Sequence, residues 1–261
     1  EYNANTLNRT FDALQLFGVT QAYPLIIKLM TELSIMKNQD KKIKNSEKFL
    51  EFLQALEKFH FINYAVSQQP GNQVEQYYAD RCKYELNESN YSDFVKTFIN
   101  ELRNKKVVGK GAFSEKFYEI SYSDDFHLIY YIFDRLNNFK RKGGQYIGLY
   151  NPNKKLLTRN FDIDHLVSQN LDNYPFDTDK VVDYLDNIGN LLVISKHTNG
   201  PAQNMPILNK LAVFKEKEIQ NLPEAKTVIN LWETKRWESP EDIIKNIIDR
   251  TKDLSDRAYN E

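Results

Sequence analysis

The stretch from Ser46 to Tyr64, SEKFLEFLQALEKFHFINY, places Phe49, Phe52, Leu53, Leu56 and Phe59 at spacings of three and four. A period near 3.6 gathers these side chains on one face of a helix, and an aromatic stripe of that width needs other helices to cover it. Three further stretches have the same character. AYPLIIKLMTELSIM carries Leu25, Leu29 and Leu33 with Ile26 and Met30. YSDFVKTFINEL carries Phe94, Val95, Phe98 and Leu102, and SDDFHLIYYIFDRL carries Phe126, Ile129, Tyr130, Phe133 and Leu136. Residues 1–145 therefore read as a helical scaffold domain with a core rich in Phe and Tyr, and Ser46 is a plausible cap for its second stripe. His60 and His127 fall within these stripes and suit structural roles. QQPGNQ at 68–73 and NKKVVGKGAF at 104–113 break the period and read as loops.

FKRKGGQY at 139–146 ends the last of these helices and marks the expected boundary. Its Lys140, Arg141 and Lys142 are either a solvated helix end or contacts to a nucleic-acid backbone. Beyond it the texture changes to short β-like runs, YIGLY, KKLLTRNFDID and NLLVIS, separated by Asn, Asp and Gly. Helices return after Pro206. The last is announced by Ser239-Pro240-Glu241-Asp242 and carries Ile243, Ile244, Ile247 and Ile248.

Within residues 146–261 three polar signals occur in order. Asp162-Ile163-Asp164-His165 ends an alternating run, Gly189-Asn190-Leu191 turns into an apolar strand, and a loop bearing Asn199 leads through Asn204 and Pro206 to a helix containing Lys210. Strand, strand, helix, with His first and Asn at both later stations, is the order of an HNH or ββα-metal nuclease motif. The fold expected is thus mainly α with a small β-hairpin: a helical domain, 1–145, followed by a ββα-metal domain with flanking C-terminal helices, 146–261.

Composition narrows the chemistry. Cys82 is the single cysteine, so an intramolecular disulfide and a multi-cysteine zinc site are both excluded. The net charge of −1 argues against passive coating of nucleic acid more than against a nuclease, in which a metal and a local patch can hold phosphate. No run approaches the ~20 apolar residues of a membrane span, and no secretory leader opens the chain, so a cytoplasmic protein without a membrane partner is expected. The chain begins at Glu1 without an initiating Met, which points to processing or to a piece of a longer protein.

On Asp164-His165, Gly189-Asn190-Leu191, Asn199, Asn204 and Lys210 the second region resembles the HNH domain of GmrSD-type modification-dependent restriction proteins, a group that includes SspE-like phage-defence proteins. It is also similar to the HNH domain of RNA-guided CRISPR endonucleases, in which Asp-x-Asp-His is followed by an Asn and a second Asn nine residues on, the spacing of Asn190 and Asn199. The resemblance implies a metal-dependent endonuclease or nickase acting on phage DNA, modified or unmodified, and gated by an upstream nucleotide-dependent sensor. It also implies that Asn190 ties the loop to backbone near the histidine.

Phosphodiester hydrolysis needs a deprotonated water and something to neutralise charge growing on the phosphate. An imidazole suits the first task, making His165 the general base, and a divalent cation suits the second. Asp164 lies on the opposite side of its strand from His165 and would hold the metal together with Asn199. A carboxylate, an amide and waters form a hard oxygen set suited to Mg²⁺ or Mn²⁺. Asp162 either supports the metal through a water or caps the turn. Asn204 would hold the helix start, and Arg159, Lys196 and Lys210 are candidates for phosphate. His197 is more consistent with a solvent-exposed loop. The rival expectation is a catalytically degenerate HNH fold retained as a DNA- or protein-binding module.

Overall fold

The computed structural model of the protein describes residues 2–71, 74–105, 108–138, 147–151, 156–157, 160–202, 204–217 and 222–260. Arg159 and the Lys140-Arg141-Lys142 run lie outside the described residues. The chain divides into two compact units, Glu1–Phe113 and Ser114–Glu261.

The first unit contains α1 (Tyr2–Leu16), α2 (Tyr23–Ile35), α3 (Gln39–His60), α4 (Glu75–Cys82) and α5 (Tyr91–Lys105). The stripe on α3 packs mainly on α5 and α1, while α2 packs on α4. Phe52, Leu53, Leu56, Val95, Phe98 and Leu102 are buried between them, with the Phe52 and Phe98 rings 5.0 Å apart. Met30 departs from the expected stripe: it is 44% exposed, and only Leu25, Ile26 and Leu29 of α2 are buried.

α3 begins well before Ser46. Asn38 caps it, its side-chain oxygen accepting the Lys41 N–H at 3.0 Å. Lysines are good helix formers, so Lys41, Lys42 and Lys44 extend the helix backward, and Ser46 donates its hydroxyl to Lys42 O at 2.8 Å inside it. At its other end α3 runs into a π-helical turn, Phe61–Val66, where Asn63 donates to Phe59 O at 2.8 Å and accepts from the Val108 N–H at 2.9 Å. The expected loop after it includes Gln68 at φ 50°, a left-handed conformation rare for a side-chain-bearing residue.

His60 sits at this junction, 3% exposed, its Nε2 2.9 Å from Tyr78 Oη. Burial pushes its pKa down from 6.5 to about 4. A base that is harder to protonate when folded leaves the unfolded chain holding more protons between those values, so stability falls as pH drops from 6.5 toward 4. At pH 4.5 the loss relative to pH 7 should be about 2 to 3 kcal/mol. Urea unfolding at the two pH values tests this: His60→Gln should flatten that part of the acid limb, and an equal fall in both proteins would refute the assignment.

The second unit includes the C-terminal part of α6 (Lys110–Tyr118), which starts inside the stretch expected to be a loop, and α7 (Phe126–Asn138). Two short strands, β1 (Tyr150–Asn151) and β2 (Leu156–Leu157), pair with each other. β3 (Phe161–His165) pairs antiparallel with β4 (Leu191–Ser195), Phe161 opposite Ser195 and His165 opposite Leu191. The two strands are joined by a long excursion containing 3₁₀ turns at Asp179–Tyr184 and Ile188–Asn190. α8 (Lys196–Ala202), α9 (Ile207–Lys217), α10 (Pro223–Trp232) and α11 (Pro240–Asn260) follow. The segment after β4, expected as a loop, is the short helix α8, packed on both strands and on α9. The Ser239 cap holds, its hydroxyl accepting the Asp242 N–H at 3.2 Å.

The unit boundary lies upstream of residue 145. Ile129, Phe133 and Leu136 are buried, and α7 packs on α10, α11 and β1, so α7 shares its core with the C-terminal helices. The protein is mainly α with small antiparallel β pairings. Among the described residues no helix is long and apolar enough to cross a membrane.

Candidate functional site

β3 carries the polar cluster opposite a partner whose first four residues are apolar: Leu191, Leu192, Val193 and Ile194 of β4 are buried and anchor the pair to the core. Successive side chains of a strand alternate between faces, and Asp164 and His165 accordingly find different partners. Asp164 Oδ2 accepts from Lys210 Nζ of α9 at 2.9 Å, and the same ammonium donates to His165 O at 2.6 Å. The Lys210 side chain is 0% exposed and that of Asp164 9%. Burial raises the Asp164 pKa and lowers that of Lys210, while each partner's charge opposes the shift in the other. Lys210 is therefore not presented to a phosphate; its ammonium is spent on the interior, correcting the sequence expectation.

His165 faces the other way. Its Nε2 lies 3.0 Å from Asp186 Oδ1, and the Tyr122 ring stands edge-on to the imidazole with centroids 5.2 Å apart. Gln169 Nε2 donates to the same Asp186 oxygen at 3.3 Å. Asp186 is held by the end of α6 and the turn that follows it: Tyr122 N donates to Asp186 O at 2.8 Å, Ser121 bridges Asn187, and Asn187 Nδ2 donates to Tyr118 O at 3.2 Å. Sequence reasoning missed both Asp186 and Tyr122. Neither belongs to a recognisable spacing, and each reaches His165 only through the folded excursion.

Asn190 is completely buried. Its Oδ1 accepts the Val167 N–H at 2.8 Å, and its Nδ2 donates to Val167 O at 3.0 Å and Leu185 O at 2.8 Å. Its backbone oxygen accepts the Leu166 N–H at 2.8 Å. One amide thus fastens the chain directly after His165 to the turn entering β4.

Asn199, on α8, donates from Nδ2 to Asp162 Oδ2 at 3.4 Å, so the carboxylate in contact with it is Asp162 rather than Asp164. Its Oδ1 is buried without a hydrogen-bond partner among the described residues. A buried amide oxygen left unpaired is costly, and a hard cation is one way to satisfy it. Asp162 also pairs with Lys196 at 3.6 Å; the lysine side chain is 53% exposed and remains open to solvent. No group of three or more His, Cys, Asp or Glu with metal-binding geometry occurs among the described residues. A cation here would rest on Asn199 with Asp162 or Asp164 and on water, an oxygen donor set suited to a hard ion.

Asn204 does not hold the start of α9. The carbonyl of Pro206 accepts the Asn209 and Lys210 N–H groups there, whereas Asn204 O accepts from Asn173 Nδ2 at 3.2 Å and braces the loop after β3. His197 is exposed.

Neither the curated proteins nor the solved structures contain a match to this chain. A family model, GmrSD restriction endonucleases, C-terminal domain, matches residues 108–256, which include α6, α7, the strand pair and most of α11. The match covers more than half of the 261 residues and contains every side chain of the cluster around His165. The chain belongs to the GmrSD restriction endonuclease C-terminal domain family and carries a nuclease domain of restriction type.

Proposed function

We propose that this nuclease domain is an HNH-type, metal-dependent endonuclease or nickase, the cutting part of a bacterial restriction protein directed at phage DNA and gated by a nucleotide-dependent sensor domain. The observation that carries the reading is the pairing of His165 Nε2 with Asp186. An ionised carboxylate only accepts, so Nε2 bears the proton and the lone pair resides on Nδ1. His165 then takes a proton from water at Nδ1, and Asp186 stabilises the imidazolium that results. Asn190 keeps this strand end in place through its bonds to Val167 and Leu185.

Asn199 Oδ1, with Asp162 and Asp164 on one strand face, would hold Mg²⁺ or Mn²⁺. When bound, such a cation neutralises charge developing on the phosphate and the leaving oxygen. Lys196 can exchange its half-exposed pairing with Asp162 for a DNA phosphate, positioning the backbone without reading sequence.

A second reading, a catalytically degenerate module that binds DNA or protein, draws on the engagement of Asp164 by Lys210. Supercoiled plasmid with Mg²⁺ or Mn²⁺ separates the two. Nicking or cutting that stops in EDTA is expected, and Asn199→Ala should raise the half-saturating metal concentration by about ten-fold or more. DNA binding with no cleavage in either metal would favour the degenerate module, and cleavage persisting in EDTA would remove the metal from the proposal.

A further inference from the structure

The turn that orients the strand end after His165 is itself held from behind. Arg250, on α11, is 4% exposed, and its Nη1 donates to Gly189 O at 2.7 Å and to Leu191 O at 2.6 Å. These carbonyls flank Asn190, so one guanidinium nitrogen brackets the residue whose side chain grips Val167 and Leu185. The guanidinium itself lies over the rings of Phe133 at 5.9 Å and Trp232 at 5.8 Å, which fix it from α7 and α10.

Gly189 makes the approach of α11 possible. A Cβ there would fall 2.2 Å from Thr251 Oγ1 and 2.3 Å from Ile247 O, distances that real side chains do not tolerate. Thr251 Oγ1 also donates to Asn187 Oδ1, which in turn accepts the Gly189 N–H at 2.8 Å. Asn187 adjoins Asp186, the partner of His165 Nε2. One face of α11, Arg250 and Thr251, thus touches both of the connections that orient the imidazole: the Asn190 clamp and the Asp186 loop.

We propose that Arg250 is a positioning residue for catalysis, fixing the 189–191 turn and through Asn190 the backbone that aims His165. Burying an arginine is expensive, and a purely structural helix could pack an apolar residue in its place. Both bonds come from Nη1, whose two N–H groups are held in the guanidinium plane, so the two carbonyls share one rigid donor, which is what a site tolerating little displacement requires. This inference rests on the nuclease reading above for its activity arm, but its structural arm does not.

The test uses the full chain with Arg250→Met and Arg250→Lys, and Lys245→Met as a control on the same helix, because Lys245 pairs with Asp249 where both side chains reach solvent. Amide hydrogen exchange at Leu166 and Val167, the two N–H groups that Asn190 accepts, should accelerate about ten-fold or more in Arg250→Met and less in Arg250→Lys. Per folded molecule, plasmid cleavage should lose about 100-fold in kcat with KM within about three-fold, since small misplacement of a catalytic group costs that much. Lys245→Met should leave stability, kcat per folded molecule and exchange at Val167 near wild type. Unchanged exchange at Leu166 and Val167 in folded Arg250→Met overturns the proposal; should that variant fail to fold, unchanged exchange and kcat in Arg250→Lys overturn it. Faster exchange in a chain whose wild type cuts no DNA would leave the clamp standing and instead count against the nuclease reading.

Discussion

His165→Ala should lower plasmid cleavage by roughly two to four orders of magnitude while leaving the fold intact, because the loss of a positioned general base removes that much rate. The side chain is 12% exposed and contributes no buried apolar stripe; its partners are Asp186 and the edge of Tyr122. Circular dichroism and the urea midpoint should therefore stay close to wild type. Asp186→Asn provides the sharper control. The amide can donate as well as accept, so it no longer dictates which ring nitrogen carries the proton, and a fall on the order of 10- to 100-fold is expected. Wild-type cutting by a folded His165→Ala protein would sink the assignment outright. Wild-type cutting by Asp186→Asn would instead remove only the tautomer argument.

The two assignments differ in how visible they are from the chain alone. His165, Asn190 and Asn199 stand at motif spacing, and the apolar run Leu191–Ile194 declares a buried strand beside them. Asp186 is invisible by the same logic. It lies 21 residues from His165 in an acidic, irregular excursion that any of Asp172, Asp177, Asp179 or Asp183 represents equally well. Only the docking of Ser121 and Tyr122 on residues 186 and 187 selects it. That docking also explains why the unit boundary falls before α6 ends. The period in SDDFHLIYYIFDRL specifies a helix, but periodicity cannot say which neighbours the stripe faces, and α7 faces α10 and α11. Capping was legible where a short motif was complete, as at Ser239, and misleading at Ser46, where Asn38 lay upstream of a lysine-rich first turn that carries no apolar signal. The burial of Lys210 was hidden for a related reason: a lysine on an amphipathic helix ordinarily reaches solvent, and its acceptor Asp164 lies 46 residues away.

Lys210→Met should destabilise the nuclease unit by about 3 to 5 kcal/mol, because it strands the Asp164 carboxylate in a buried site and leaves His165 O without its donor. Such a loss is a large part of the stability of an ordinary domain, so the urea midpoint should fall steeply and acid should partly relieve the defect by protonating Asp164, whose pKa burial already raises. The double variant Asp164→Leu/Lys210→Met then separates two roles that the single variants confuse. Removing both charges eliminates the desolvation cost, and a well-packed apolar pair can equal a buried ion pair, so most of the lost stability should return. The shortfall should be about 1 to 3 kcal/mol, the cost of the unpaired His165 carbonyl. Cleavage should not return with it if Asp164 lends an oxygen to the cation as well as a charge to Lys210. A double variant that regains both stability and metal-dependent cutting would confine Asp164 to the interior and leave Asp162 and Asn199 as the protein's oxygen donors.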